Sequence, residues 1–342
     1  MAPKERKREP MSAISWKGRP VFVTGASGLM GGWLVRRLVE EGADVVALVR
    51  DSCPTGLLFS EGLFDRITVV RGCLEDLPLL RRSLAEYSIE TVFHLAAQPL
   101  VGVAKKDPVG TLQANVMGSW NVLEAARQTK VSQIVVASSD KAYGASPALP
   151  YRESYPLQGK YPYDVSKSCT DLICGMYAAT YGVPVGILRC ANLFGGGDLN
   201  FSRTIPGVVK ATLDGERFRI RSDGKFVRDF LYVKDAAEAY LRVAEGLAKA
   251  PDLAGEAFNF SLEVRLTVLD CVDLVLGVMK RTDLEPIIEN QASSEIREQY
   301  LCCDKAHSVL EWQPRFSMEQ GLNETIEWYS TYFDKRALSA AS

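Results

Sequence analysis

The sequence predicts an open α/β fold: a parallel sheet doubly wound by helices on both faces, with a smaller C-terminal α/β lobe laid on it. Three observations carry the expectation. Short apolar runs alternate with helix-length stretches through residues 20–190. A glycine-rich turn joins the first run to the first helical stretch. The rhythm then breaks after Asn192, where loops and shorter runs replace it. Apolar runs without polar alternation fit strands buried on both sides, and helical crossovers are what cover both faces of a parallel sheet.

The elements follow in order. Pro20–Thr24 reads as a short buried strand. Residues 29–41 carry Leu34, Val35, Leu38 and Val39 at helical spacing, and Gly42 is placed to end that helix. Further strands are expected at residues 45–49, 67–70, 91–95, 134–138 and 185–188, with helices at 77–86, 111–128 and 163–181 between them. Past Asn192, Gly195-Gly196-Gly197 reads as a loop. Helices are expected at 205–213, 235–248 and 268–279, and strands at 218–220 and 257–260. The chain then divides into a flexible basic tail (residues 1–17), a sheet domain (18–190) to which residues 231–260 return, and a lobe (191–336) on the strand ends, where open α/β sheets bind ligands.

Composition narrows the function classes. With 47% hydrophobic residues in 342 there is ample material for a core. A formal charge of −2 gives no electrostatic basis for binding nucleic acid or an anionic membrane. The basic segment from Lys4 to Arg8 is read as a solvated tail. Neither a leader peptide nor an apolar run of about 18 residues is seen. Eight scattered cysteines without a C-x-x-C pair, and two histidines, argue against a metal site and for reduced thiols. The expectation is a cytoplasmic protein with no metal, nucleic-acid or membrane partner.

The glycine turn is the first site. Gly25, Gly28 and Gly31 stand between a strand and a helix, with Ser27, Leu29 and Met30 among them. Gly25 permits the tight turn, Gly28 lets backbone approach a pyrophosphate, and Gly31 lets helix and strand pack closely; the helix N-terminus favours the anion. This is a Rossmann-type dinucleotide turn, and residues 18–190 become an NAD(P)-binding domain. The second strand ends in Arg50 and Asp51. A carboxylate there favours NAD and an arginine favours NADP, so the cofactor is NAD(P), leaning to NAD.

The second site is Ser139-Asp140-Lys141 with Tyr163 and Lys167. The Y-x-x-x-K spacing puts Tyr163 and Lys167 on one helix face. A lysine ammonium beside a phenol favours the phenolate, so the tyrosine can act as a base. Asp140 and Lys141 add two further proton-handling groups, more than alcohol oxidation needs. His94, on a strand, reads as structural, and Tyr143 as packing.

These pieces, with His94-Leu95-Ala96-Ala97-Gln98, Asn115-Val-Met-Gly118, Arg189-Cys-Ala-Asn192 and the run from Arg228 to Asp235, resemble the extended short-chain dehydrogenase/reductase family over about residues 18–330. The resemblance implies nucleotide-sugar substrates handled at carbon 4 of the hexose. It implies that Tyr163 takes the carbon-4 hydroxyl proton, that Lys167 lowers the Tyr163 pKa and holds the nicotinamide ribose, and that Ser139 hydrogen-bonds the sugar oxygen. It places the cofactor against Leu74, Leu95, Ala96 and Ala97 as well as the glycine turn. It makes Asn192, Arg228 and Arg203 contacts to the sugar diphosphate, adds Gln98 and Asn115 on the substrate side, and implies a homodimer joined through helices 111–128 and 163–181.

Asp140-Lys141 sets the branch. An acid followed by a base resembles the 4,6-dehydratases, which eliminate water across carbons 5 and 6 to give a 4-keto-6-deoxy sugar; the pair is most like the CDP-glucose 4,6-dehydratase group. An adjacent carboxylate favours the ammonium form of Lys141, so an ammonium that stabilises an enolate stands as the alternative to a base. Departures from the pattern leave CDP-glucose, GDP-mannose and UDP- or dTDP-glucose open: Gly72-Cys73-Leu74 lacks the usual aspartate, and Gly102-Val-Ala-Lys105-Lys106 replaces an arginine-rich stretch. A nucleotide-sugar 4-epimerase is the competing activity.

Overall fold

The computed structural model describes residues 14–51, 53–291 and 296–341; most of the expected basic tail, including the segment from Lys4 to Arg8, lies outside them. The strands are β1 (Pro20–Thr24), β2 (Asp44–Val49), β3 (Thr68–Arg71), β4 (Thr91–His94), β5 (Gln133–Ala137), β6 (Val185–Cys190) and β7 (Ala257–Phe260). They form one sheet in the order β7-β6-β5-β4-β1-β2-β3, parallel throughout. The expected doubly wound α/β sheet is present. Side-chain alternation sorts its core into two layers. Val21, Val23, Val45, Ala47, Val49 and Val135 face one apolar cluster, while Phe22, Val46, Leu48, Ile134 and Val136 face the other.

The main helices are α1 (Leu29–Glu40), α2 (Leu77–Glu86), α3 (Gly118–Thr129), α4 (Pro162–Tyr181), α5 (Thr204–Leu213), α6 (Val233–Lys249), α7 (Val268–Val278) and α8 (Met318–Ala341). Pro162 opens α4 at a position where its missing N–H costs nothing, and Gly182 closes it in the left-handed region. Between β1 and β4 the strand order reverses direction, which leaves a crevice at their C-terminal ends.

One expected helix is broken. Residues 111–128 divide into a short helix (Pro108–Leu112), a π-helical turn (Gln113–Met117) and α3. The physical reason lies at one carbonyl. The Asn115 carbonyl accepts hydroxyls from Ser119 at 2.5 Å and Thr170 at 3.0 Å, and side chains inserted into the ladder widen the turn.

Beyond β6, three two-stranded pairs build the lobe. Asn192–Phe194 pairs with Phe230–Tyr232, Val227–Arg228 with Leu266–Thr267, and Arg219–Ile220 with Ile287–Ile288.

Candidate active site

The glycine turn lies at the crevice. Gly25 has φ +77°, and a Cβ on it would stand 2.6 Å from the Ala96 nitrogen, so only glycine lets β1 and the end of β4 meet. A Cβ on Gly31 would strike the Gly25 carbonyl oxygen at 2.0 Å. At Gly28 it would meet only that same oxygen, at 3.3 Å, so this face stays open. Gly28 is the N-cap of α1 and no side chain caps the helix. An uncapped helix N-terminus beside an open glycine fits a pyrophosphate. Leu95, Ala96 and Ala97 follow β4 on the same rim. Leu74 packs under Gly118, and its carbonyl is taken by Asn121 at 2.9 Å. Arg50 and Asp51 leave the tip of β2 as an exposed ion pair of 2.6 Å.

The proton-handling residues converge at the ends of β5 and α4. Ser139 caps a 3-10 turn over Asp140–Tyr143. Its hydroxyl donates to Asp140 Oδ1 at 2.9 Å. The same carboxylate oxygen lies 3.3 Å from Lys141 Nζ, which also donates to Asn192 Oδ1 at 3.4 Å. Asp140 is 1% exposed, and its Oδ2 has no hydrogen-bond partner. Tyr163 and Lys167 are buried on the facing side of α4, and Lys167 Nζ donates to the Ala137 carbonyl at 2.8 Å.

Electrostatics correct one expectation. Tyr163 is not lowered: burial and the Asp140 charge push it up to about 12, against a hydrogen bond with Ser139 and the positive charge of Arg203. Lys167 is itself pulled down to about 8 by burial. At Tyr163 desolvation and the Asp140 charge outweigh the groups that favour the phenolate. Asp164, next to Tyr163, is raised to about 6 by burial, with Lys141 the foremost opposing charge. His94 is buried between Thr24 Oγ1 (2.8 Å) and Ser119 Oγ (3.0 Å), and burial, then the Lys167 charge, holds it at about 3.

The expected substrate contacts divide. Asn192 is fixed by Asp229, whose carbonyl accepts its Nδ2 at 3.1 Å, and it faces Lys141. Arg203 pairs with Asp198 at 3.1 Å. Arg228, half-buried, donates to the Val227 carbonyl at 2.8 Å and lies over Phe226. Asn115 and Gln98 are corrections. Asn115, 1% exposed, spends its amide on the Gln98 backbone (2.7 and 3.1 Å) and on Ser166 (2.9 Å). The Gln98 amide bonds Leu100 backbone and Thr111. Both hold the loop after β4 rather than offer groups to a ligand. Motif reading also passed over Asp164 and Asp171. The i+4 spacing from Lys167 was the signal for Asp171.

Comparison with known proteins came out as follows. The model of the NAD dependent epimerase/dehydratase family matches residues 21–260. A CDP-glucose 4,6-dehydratase of Salmonella typhimurium is 31% identical, over 93% of this chain and 92% of its own. A UDP-glucose 4-epimerase of Mycolicibacterium smegmatis is also 31% identical, over 90% and 97%. Among solved structures, a dTDP-glucose 4,6-dehydratase of Streptomyces venezuelae with NAD bound superposes with a TM-score of 0.83 at 26% identity, covering 91% of this chain and 97% of that one. Among the described residues, no helix is long and apolar enough to cross a membrane.

Proposed function

The chain belongs to the NAD dependent epimerase/dehydratase family, and from that premise we propose that it is a nucleotide-sugar 4,6-dehydratase, converting a nucleoside-diphosphate hexose to its 4-keto-6-deoxy product. The observation that carries the reading is the Asp140–Lys141 pair, 3.3 Å apart and joined to Ser139 in front of Tyr163. Carbon-4 oxidation alone needs only the tyrosine, lysine and serine.

The uncapped N-terminus of α1, with Gly28 and the Gly25 turn, holds the dinucleotide, which is NAD. Bound there, NAD would supply an acceptor for the carbon-4 hydride and, once reduced, a hydride donor for carbon 6. Arg203 and Arg228 hold the sugar diphosphate, since guanidinium forks match phosphate oxygens, while Asn192, its amide taken by Lys141 and the Asp229 carbonyl, positions Lys141 instead. Ser139 orients the carbon-4 oxygen, and Tyr163, once it has given up its own phenolic proton, receives the carbon-4 hydroxyl proton as the phenolate. Lys141 then removes the acidified carbon-5 proton. Two acceptors, Asp140 and Asn192, support that role: once the ammonium has handed one proton to Asp140, the amine gives its two remaining hydrogens to them and keeps its lone pair for the substrate. Asp140 Oδ2, buried without a partner, is the atom that delivers a proton to the leaving carbon-6 hydroxyl. A proton on Asp140 also removes the negative charge that helps hold Tyr163 high, so the acid required for elimination makes the tyrosine a better base.

The 4-epimerase reading persists because the Mycolicibacterium epimerase is as similar as the Salmonella dehydratase. The test is incubation with CDP-glucose, GDP-mannose, UDP-glucose and dTDP-glucose, followed by the alkali-induced absorbance of 4-keto-6-deoxy sugars. A keto product is expected. Conversion to the 4-epimer without any keto product overturns the dehydratase.

We also propose a homodimer. Val109, Leu112, Trp120, Leu172, Met176 and Tyr181 are exposed on α3, α4 and the short helix before them. A second copy presenting the same faces would bury them.

A further inference from the structure

The catalytic helix carries a buried acid that the mechanism above does not use. Asp171 is one turn beyond Lys167 on the same face of α4 and is 3% exposed. Its Oδ1 accepts Nε and Nη2 of Arg189, on β6, at 2.9 and 2.8 Å. Its Oδ2 accepts the hydroxyl of Ser138, the residue between Ala137 and Ser139. The Ala137 carbonyl in turn accepts Lys167 Nζ. One carboxylate therefore ties the end of β5, the helix that bears Tyr163 and Lys167, and the neighbouring strand. Arg189 extends the tie: its Nη1 donates to Tyr143 at 2.8 Å, and that phenol donates to Asn259 Oδ1 on β7 at 2.7 Å.

We infer that Asp171, braced by Arg189 and Ser138, is a positioning residue that keeps Lys167 protonated and in register with Ser139. The groups around Lys167 support this. On its own helix are Tyr163, Asp171 and Cys174; Cys190 faces it from β6 and His94 from β4. Burial pushes Cys190 up to about 12 and Cys174 higher still, so both are neutral thiols near pH 7. His94 is neutral there too, and Tyr163 keeps its proton. Among these groups, Asp171 is left as the opposite charge. Burial lowers Lys167 to about 8, at the margin of losing its proton, and the Asp171 charge works against that loss.

The inference rests on Lys167 being the catalytic lysine, but it is tested in the resting protein, so a failure of the dehydratase reading leaves the test intact. Urea unfolding is followed from about pH 6 to 10 for the wild type, Lys167→Met, Asp171→Asn and the double variant. The folded wild type releases the lysine proton near pH 8 and the unfolded chain near 10.5, so its midpoint should rise relative to Lys167→Met above about pH 8. In the Asp171→Asn background that rise should begin about one pH unit lower, and Asp171→Glu should restore it. Should Asp171→Asn fail to fold because Arg189 is left unpaired, Asp171→Asn with Arg189→Met carries the same comparison. An onset unchanged by loss of the carboxylate overturns the inference. A merely structural Asp171 would lower every midpoint without moving the onset.

Discussion

Replacing Lys141 with alanine separates the two halves of the proposed reaction, and the structure sets the size of both effects. The Lys141 side chain is 20% exposed and lies 3.3 Å from a carboxylate that is 1% exposed. Without the ammonium, Asp140 keeps one donor, the Ser139 hydroxyl at 2.9 Å, and its Oδ2 still has none. Removing one partner of a fully buried ion pair costs about 3–5 kcal/mol. The partial exposure of the lysine lets water take up part of that loss, so roughly 1–3 kcal/mol is expected. Catalytically, a missing general base costs about 10²–10⁴-fold. Stopped-flow absorbance should show nicotinamide reduced on substrate addition at a near-normal rate, because Tyr163, Lys167 and Ser139 are intact, while 4-keto-6-deoxy product falls by that factor. Asp140→Asn combined with Lys141→Ala should recover most of the lost stability, since no buried charge is then unpaired, but none of the elimination. Normal dehydration by Lys141→Ala refutes the assignment of the base. A double variant no more stable than Lys141→Ala refutes the ion-pair reasoning.

Three further outcomes follow from the same geometry. His94 is held neutral to about pH 3, whereas the unfolded chain protonates near 6.5, so its contribution is present above 6.5 and lost as pH falls toward 3; the full window corresponds to about 5 kcal/mol, and the stability difference between wild type and His94→Gln should shrink across it in urea titrations. Gly31→Ala places a Cβ 2.0 Å from the Gly25 carbonyl oxygen, a backbone atom that cannot rotate away, so calorimetry should show loss of NAD binding along with a destabilisation of about 1–3 kcal/mol or more. Leu172→Glu, on a residue 64% exposed, should leave the monomer folded by circular dichroism yet shift sedimentation from dimer to monomer; an unchanged sedimentation profile counts against the proposed face.

Much of the fold was legible because its signals are local. Periodicity located β1, α1, α2, α4 and β7 within a residue or two, since a buried strand and an amphipathic helix each need a fixed repeat of apolar side chains. The π-helical turn at Gln113–Met117 was not legible: hydroxyls from Ser119 and Thr170 create it, and Thr170 is distant in sequence. The long helix Met318–Ala341 drew no assignment, its apolar pattern being weak.

The sequence by itself determined the family resemblance, the dinucleotide turn and the cast of proton-handling residues, because these depend on residue type at fixed short spacing. Only the tertiary structure decided what each member does with its polar atoms. It turned Asn115 and Gln98 inward to hold a loop, brought Asn192 to Lys141 from 51 positions away, and left Asp140 Oδ2 without a partner. It also reversed the expected direction for Tyr163, raising it where the Y-x-x-x-K spacing alone implied lowering. Spacing along a helix fixes which side chains share a face, but burial and long-range partners set their charge, and both exist only once the chain has folded.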